Sequence, residues 1–180
     1  MAAPKLELGP CQVWLGTSGA EVWIGDTHGG VKTKMTQAKA ALHTDGFGTA
    51  PYSEVITGME VTHEIPLADI SPSSLAAAIP GAVYTVQATP DKMKLTFVSP
   101  VGRDQRANAK SMILKPIIAG VVSADNKDWY TVPLTAFIGD AELTYDASTQ
   151  RVWKLMATSY PDPDATPSML IGYKGDLTTV

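Results

Sequence analysis

The stretch from residue 54 to residue 65, EVITGMEVTHEI, alternates along its whole length. Val55, Thr57, Met59, Val61 and Ile65 fall on one side of an extended chain, and Glu54, Ile56, Gly58, Glu60, Thr62 and Glu64 on the other. Successive strand side chains point to opposite faces, so this period predicts a half-buried β-strand. Residues 31–42 are β-compatible in the same way, and between the two stretches lie Asp45-Gly46-Phe47-Gly48 and Pro51, which break regular structure. A hairpin with a long tip is the expectation for residues 43–53.

The rest of the chain follows the same β pattern. Residues 1–30 are Gly-rich with only short apolar pieces at 12–15 and 21–24, and read as an N-terminal arm carrying one or two short strands. A single short helix is predicted, with Ser71 as cap, Pro72 at the first helical position and Pro80-Gly81 as the stop. Further strands are expected at 92–98, 109–117, 129–138, 141–145 and 152–160, with turns at 101–102, 124–126 and 145–148. Pro161, Pro163 and Pro167 predict an extended C-terminal arm before a last short strand at 169–173. The fold class is therefore mostly β: two packed antiparallel sheets in a sandwich or barrel over residues 31–160, one short flanking helix, a long hairpin loop and two arms. No internal repeat is present in the sequence.

Composition supports one domain. A chain of 180 residues with 44% hydrophobic content can bury one sizeable core. Only 18% of residues are charged, against 15 Gly and 13 Pro, which suits strands and turns. A formal net charge of -4 argues against a protein that holds nucleic acid by charge. Cys11 is the only cysteine, so no disulfide within the chain is possible. The start has no apolar stretch of signal-peptide length, and the most apolar run, 112–122, is interrupted by Lys115 and Pro116; neither a leader nor a membrane span is expected.

Motifs for chemistry fail in each case. His28, His43 and His63 are scattered, and Cys11 cannot complete a zinc set with them, so no metal site is expected. Gly46-Phe47-Gly48-Thr49-Ala50-Pro51 opens like a dinucleotide fingerprint but lacks its third glycine and puts a proline where the helix should begin. Gly16-Thr17-Ser18-Gly19-Ala20 departs from a nucleophile elbow, and no phosphate loop is present. Asp162 and Asp164 lack the loop and closing Glu of a calcium site, and Arg103 and Arg106 flank Asp104 as surface or subunit-contact charge. No catalytic residue, cofactor or enzyme activity is expected.

Several segments in order resemble the major tail tube protein of long-tailed, non-contractile bacteriophages. They are Leu8-Gly9-Pro10-Cys11-Gln12-Val13, Gly29-Gly30-Val31-Lys32, the run from Asp45-Gly46 through Thr57-Gly58-Met59-Glu60-Val61 to Ile65-Pro66-Leu67-Ala68, the Ala-rich helix ending Ile79-Pro80-Gly81-Ala82, the strand at 109–116, and 152–160 followed by Gly175-Asp176. The resemblance implies a two-sheet sandwich flanked by a helix, assembling as homo-hexameric rings whose inner strands form one barrel. Rings of that family stack around a tape measure protein, end on tail terminator and distal tail proteins, and make the conduit through which double-stranded DNA leaves the virion without specific binding. Location in the virion tail, after assembly in the bacterial cytoplasm, is implied with it, and no membrane partner. The family's stacking loop corresponds to residues 39–52, with Lys39, His43, Asp45, Phe47 and Tyr52 as candidate ring-to-ring contacts. Glu54, Glu60, Thr62 and Glu64 are the candidates to face the channel, because a wall without rows of cations lets a duplex slide. Alternation defines a polar face without saying which side of a ring it occupies.

Two other readings compete. One, of the same assembly class, is a different tail ring or a related secretion tube, such as a terminator that caps the tube, though terminators tend to be mixed α/β. The other is a monomeric β-sandwich binding module in which Trp14, Trp23, Trp129 and Trp153 line a ligand groove, although their scatter suits core or interface anchors equally.

Overall fold

In the computed structural model, which describes residues 9–68, 71–88, 92–99, 101–143, 148 and 150–175, strands dominate and all pairing is antiparallel. The elements in chain order are β1 (Cys11–Thr17), β2 (Ala20–Trp23), β3 (Lys32–Leu42), β4 (Ser53–Leu67), α1 (Pro72–Ala78), β5 (Ala82–Gln87), β6 (Lys92–Phe97), β7 (Lys110–Ile118), β8 (Val121–Val122), β9 (Tyr130–Leu143), β10 (Trp153–Ser159) and β11 (Tyr173–Lys174). One large sheet runs β2-β1-β7-β9-β10-β4-β3, with β8 and β11 attached at β7 and β9, and β5 and β6 form a separate two-stranded ribbon. Beyond β2 the chain crosses to β4, where Thr27 bridges Leu67 and His28 N donates to Pro66 O at 2.8 Å. This crossing links the region next to one sheet edge to a strand near the other.

The core comes from every second residue of the large sheet. Val13, Ile65, Leu67, Met112 and Val132 are wholly buried, with Leu15, Phe137 and Leu155 close to it. Each such side chain contributes roughly 1.5–3 kcal/mol by leaving water. Helix α1 closes the core with Leu75 and Ala78. Ser71 Oγ accepts from Ser74 N, Pro72 fills the first turn, and Gly81 at φ 80° lets the chain leave.

The two short strands expected in the N-terminal stretch are present as β1 and β2; β1 lies between β2 and β7, and Val13 and Leu15 belong to the core. β1 is short, but it gains ladder bonds on both sides, which composition alone does not reveal. Within the glycine-rich piece 16–20, Ser18-Gly19 is the two-residue turn joining β1 to β2, with Gly19 at φ 82°. Strand β5 was not anticipated, because its alternation is brief and follows directly on Pro80-Gly81. The two strands expected at 129–138 and 141–145 are one, β9, which continues through Gly139 because β10 pairs with it on both sides of that point. The turn at 145–148 lies almost wholly outside the described residues. At the C terminus, Asp162 bridges Leu170, and β11 is only two residues long.

Candidate functional site

The hairpin β3–β4 is longer than the body that supports it. β10 pairs with β4 only from Val61 to Leu67, so residues 53–60 have β3 as their one strand neighbour. Every residue of β3 and the first eight of β4 are exposed. The tip is the single-turn 3-10 helix Asp45–Phe47, followed by Gly48 at φ 62°. Two strands alone are marginal in water. This pair also exposes Met35 (57%), Tyr52 (65%), Ile56 (62%) and Met59 (41%).

A one-residue irregularity re-aims the hairpin. Ala38 pairs with Gly58 but Lys39 pairs with Ile56, leaving Thr57 as an extra residue on β4. An extra residue exchanges the faces of everything beyond it. Relative to β3, Glu54 and Ile56 therefore lie on the side opposite Glu60, which corrects the simple alternation read from the sequence. Ile56 joins Met35 and Met59 on the core side, in line with buried Val61 and Ile65, whereas Ala38, Ala40 and Val55 take the outer side. Lys39 Nζ and Glu54 form an ion pair on the core side near the tip.

The outer side of the supported half carries charge in balance. Glu60, Thr62 and Glu64 share it with Lys32, Lys34 and Lys154, and Glu142 is paired with Lys154 on β9. Glu64 Oε1 lies 3.0 Å from Lys154 Nζ and 3.6 Å from Lys32 Nζ. The hydrogen bond from Lys154 is the main reason its carboxyl is held below the ordinary value. Of the stacking candidates, Lys39, His43, Asp45 and Tyr52 are exposed on or beside the hairpin tip, and the backbone of Phe47 closes the 3-10 turn.

Behind this face the core side holds a buried polar line that sequence reasoning did not assign. His63 is wholly buried, with Nδ1 at 2.9 Å from Thr33 Oγ1 and Nε2 at 2.7 Å from Ser159 Oγ, so it joins β3, β4 and β10. Burial pushes its pKa down to about 4. Ser159 and His63 have the spacing of a nucleophile and its base, but both are buried and the third group is a hydroxyl instead of a carboxylate. The arrangement serves to tie strands together. His63 sits at an apolar position of the alternation, which was the available signal.

On the far side of the sheet, Lys115 Nζ is held between two indoles, 3.9 Å from the Trp14 ring centre and 3.8 Å from that of Trp129. Burial lowers the Lys115 pKa. Trp129 Nε1 donates to Ser123 O at 2.8 Å, and Trp14, Trp129, Glu21 and Tyr173 border an open cleft of about 520 Å³. Trp153 packs instead on Phe97 of the ribbon. The four tryptophans thus do not form one groove. Among the described residues no group of His, Cys, Asp and Glu could hold a metal ion, and no helix is long and apolar enough to cross a membrane.

A scan of protein-family models finds no match to this chain, and a search of curated proteins finds none either.

Proposed function

We propose that this protein is a self-assembling structural subunit of the tail tube of a long-tailed, non-contractile phage, built as stacked hexameric rings that conduct DNA. The observation that carries the self-assembly part is the hairpin: a two-stranded extension with apolar side chains exposed on it and, over residues 53–60, no second strand neighbour for β4. Such an edge is an aggregation hazard unless a specific partner covers it. Closing strands edge to edge around a ring is one way to satisfy it. The phage assignment itself rests on the ordered resemblance of the sequence segments.

On this reading the outer side of β3, β4 and β10 lines the channel. Its three lysines, Lys32, Lys34 and Lys154, are offset by Glu60, Glu64 and Glu142. The wall is then balanced in charge, not acidic, with Lys32 and Lys154 both paired to Glu64, and offers a duplex few free cations to displace its counterions. The reading includes no enzymatic activity, a tape measure protein as the occupant of the channel during assembly, and terminator and distal tail proteins at the ends. Electron microscopy of the purified protein across a concentration series tests it: rings or tubes support it, and a persistent monomer sinks it.

The cleft beside Trp14 and Trp129 favours a second reading, a binding module. Lys115 already fills the space between the two indoles, so a ligand there would have to displace it.

A further inference from the structure

Opposite charges border the Trp14–Trp129 cleft in different rows of the sheet, with aromatic and apolar side chains in the row between. Directly paired residues of neighbouring strands share a sheet face, and the register sets three rows on the side away from the core. In the first, Glu21 is opposite Gly16 and Gly16 opposite Ser111. In the second, Trp14 is opposite Ile113, Ile113 opposite Thr131 and Thr131 opposite Tyr173. In the third, Gln12 is opposite Lys115. Successive rows are two residues apart, so the backbones that carry Glu21 and Lys115 lie roughly 13 Å apart.

Neither charge is fully matched. Glu21 Oε1 accepts from Ser111 Oγ at 2.6 Å and from Gly19 N at 3.2 Å, which fixes the carboxylate, while Oε2 has no partner among the described residues. Lys115 Nζ is fixed by the two indoles, but no oxygen of the described residues accepts from its three N–H groups. Burial disfavours its charge, and Glu21 offsets that only in part. Both indole N–H groups are taken, by Gln12 Oε1 at 3.3 Å and Ser123 O at 2.8 Å, so the rings offer a ligand only apolar surface. The volume of about 520 Å³ falls within the roughly 300–1,000 Å³ of small-molecule sites.

We infer that this cleft binds a zwitterion whose opposite charges are separated by a methylene chain, as in an ω-amino acid. Its ammonium meets Glu21 Oε2, its carboxylate meets Lys115 Nζ, and its chain crosses the aromatic row. This rests on the second reading above, that the cleft binds a ligand, and not on the assembly reading. A ligand so placed lies beside Lys115 and leaves the slot between the indoles filled. A simple anion would leave Glu21 unmatched and a simple cation Lys115, whereas a sugar brings hydroxyls but no charge to either. Only a molecule with both charges satisfies both ends.

Titration of the full chain with 6-aminohexanoate, hexanoate, hexylamine and methyl glucoside at constant ionic strength tests this, read by calorimetry and indole fluorescence. Binding of 6-aminohexanoate should saturate and be at least about tenfold tighter than that of hexanoate or hexylamine, each of which lacks one charged hydrogen bond. Glu21→Gln keeps an acceptor for Ser111 and Gly19 and should erase the preference for 6-aminohexanoate over hexanoate. Lys115→Met keeps the slot between the indoles filled and should erase the preference over hexylamine. The four ligands on the wild type decide the matter even if a variant fails to fold. Equal or tighter binding of hexanoate, hexylamine or methyl glucoside would overturn the zwitterion and leave a binding cleft of another chemistry. Binding of none of the four would remove the binding reading as well.

Discussion

His63 Nε2 lies 2.7 Å from Ser159 Oγ, and the same ring reaches Thr33 through Nδ1, so one buried imidazole joins three strands at the point where the hairpin leaves the body. The Tyr130 ring stands 6.3 Å away, and none of these neighbours is a carboxylate able to compensate a positive charge.

Acid should therefore loosen this junction. In the fold the pKa is about 4, and in the unfolded chain it returns to the ordinary 6.5. Between those values the unfolded chain binds the proton more readily, so the stability is complete above about pH 6.5 and declines as pH falls towards 4. The wild type is expected to lose about 2 kcal/mol more than His63→Gln between pH 7 and pH 5 in urea unfolding. Equal losses in the two proteins would place the proton-sensitive group elsewhere.

Removing residues 43–51 and closing the hairpin with a two-residue turn should leave the melting temperature within about 2 °C, since exposed tips tolerate deletion. Assembly should stop at single rings, visible by negative stain. Tubes of normal length would exclude the tip as the stacking element.

The double change Glu60→Lys and Glu64→Lys removes the partner that Lys32 and Lys154 share. Tubes should still form, because exposed ion pairs contribute at most about 1 kcal/mol. Phage carrying the change should eject DNA slowly, with partial rescue at high salt, since unpaired cations hold phosphates in a salt-dependent way. Normal ejection would move this face off the channel.

Lys115→Ala empties the space between Trp14 and Trp129. Loss of two cation–π contacts should cost about 1–2 kcal/mol in chemical unfolding and shift indole fluorescence. An unchanged midpoint would mean that the lysine lies there without stabilising the fold.

Strands with sustained alternation or dense apolar content, β3, β4, β7 and β10, were legible in the sequence, as was α1, whose cap, proline and stop occur in order. What escaped depends on partners distant in sequence. β1 has neighbours on both sides only because β7, about a hundred residues on, pairs with it from Cys11 to Gly16. The displacement of Glu54 from the side of Glu60 escaped because Thr57, a good strand residue, gives no local sign of being unpaired. His63 looked like an ordinary strand residue, and its meaning needed Thr33 and Ser159 beside it.

The pairing of β4 with β10 also sets an order of events on the ribosome. The hairpin β3–β4 is local and can close within microseconds once residue 67 is free, but the strand that anchors it to the sheet, Trp153–Ser159, is made about ninety residues later. A growing chain thus presents its most adhesive element before it has a core. The Lys39–Glu54 pair and the irregularity at Thr57, which disrupt a flat apolar edge, stand where a nascent hairpin would otherwise pair with its neighbour on the next ribosome.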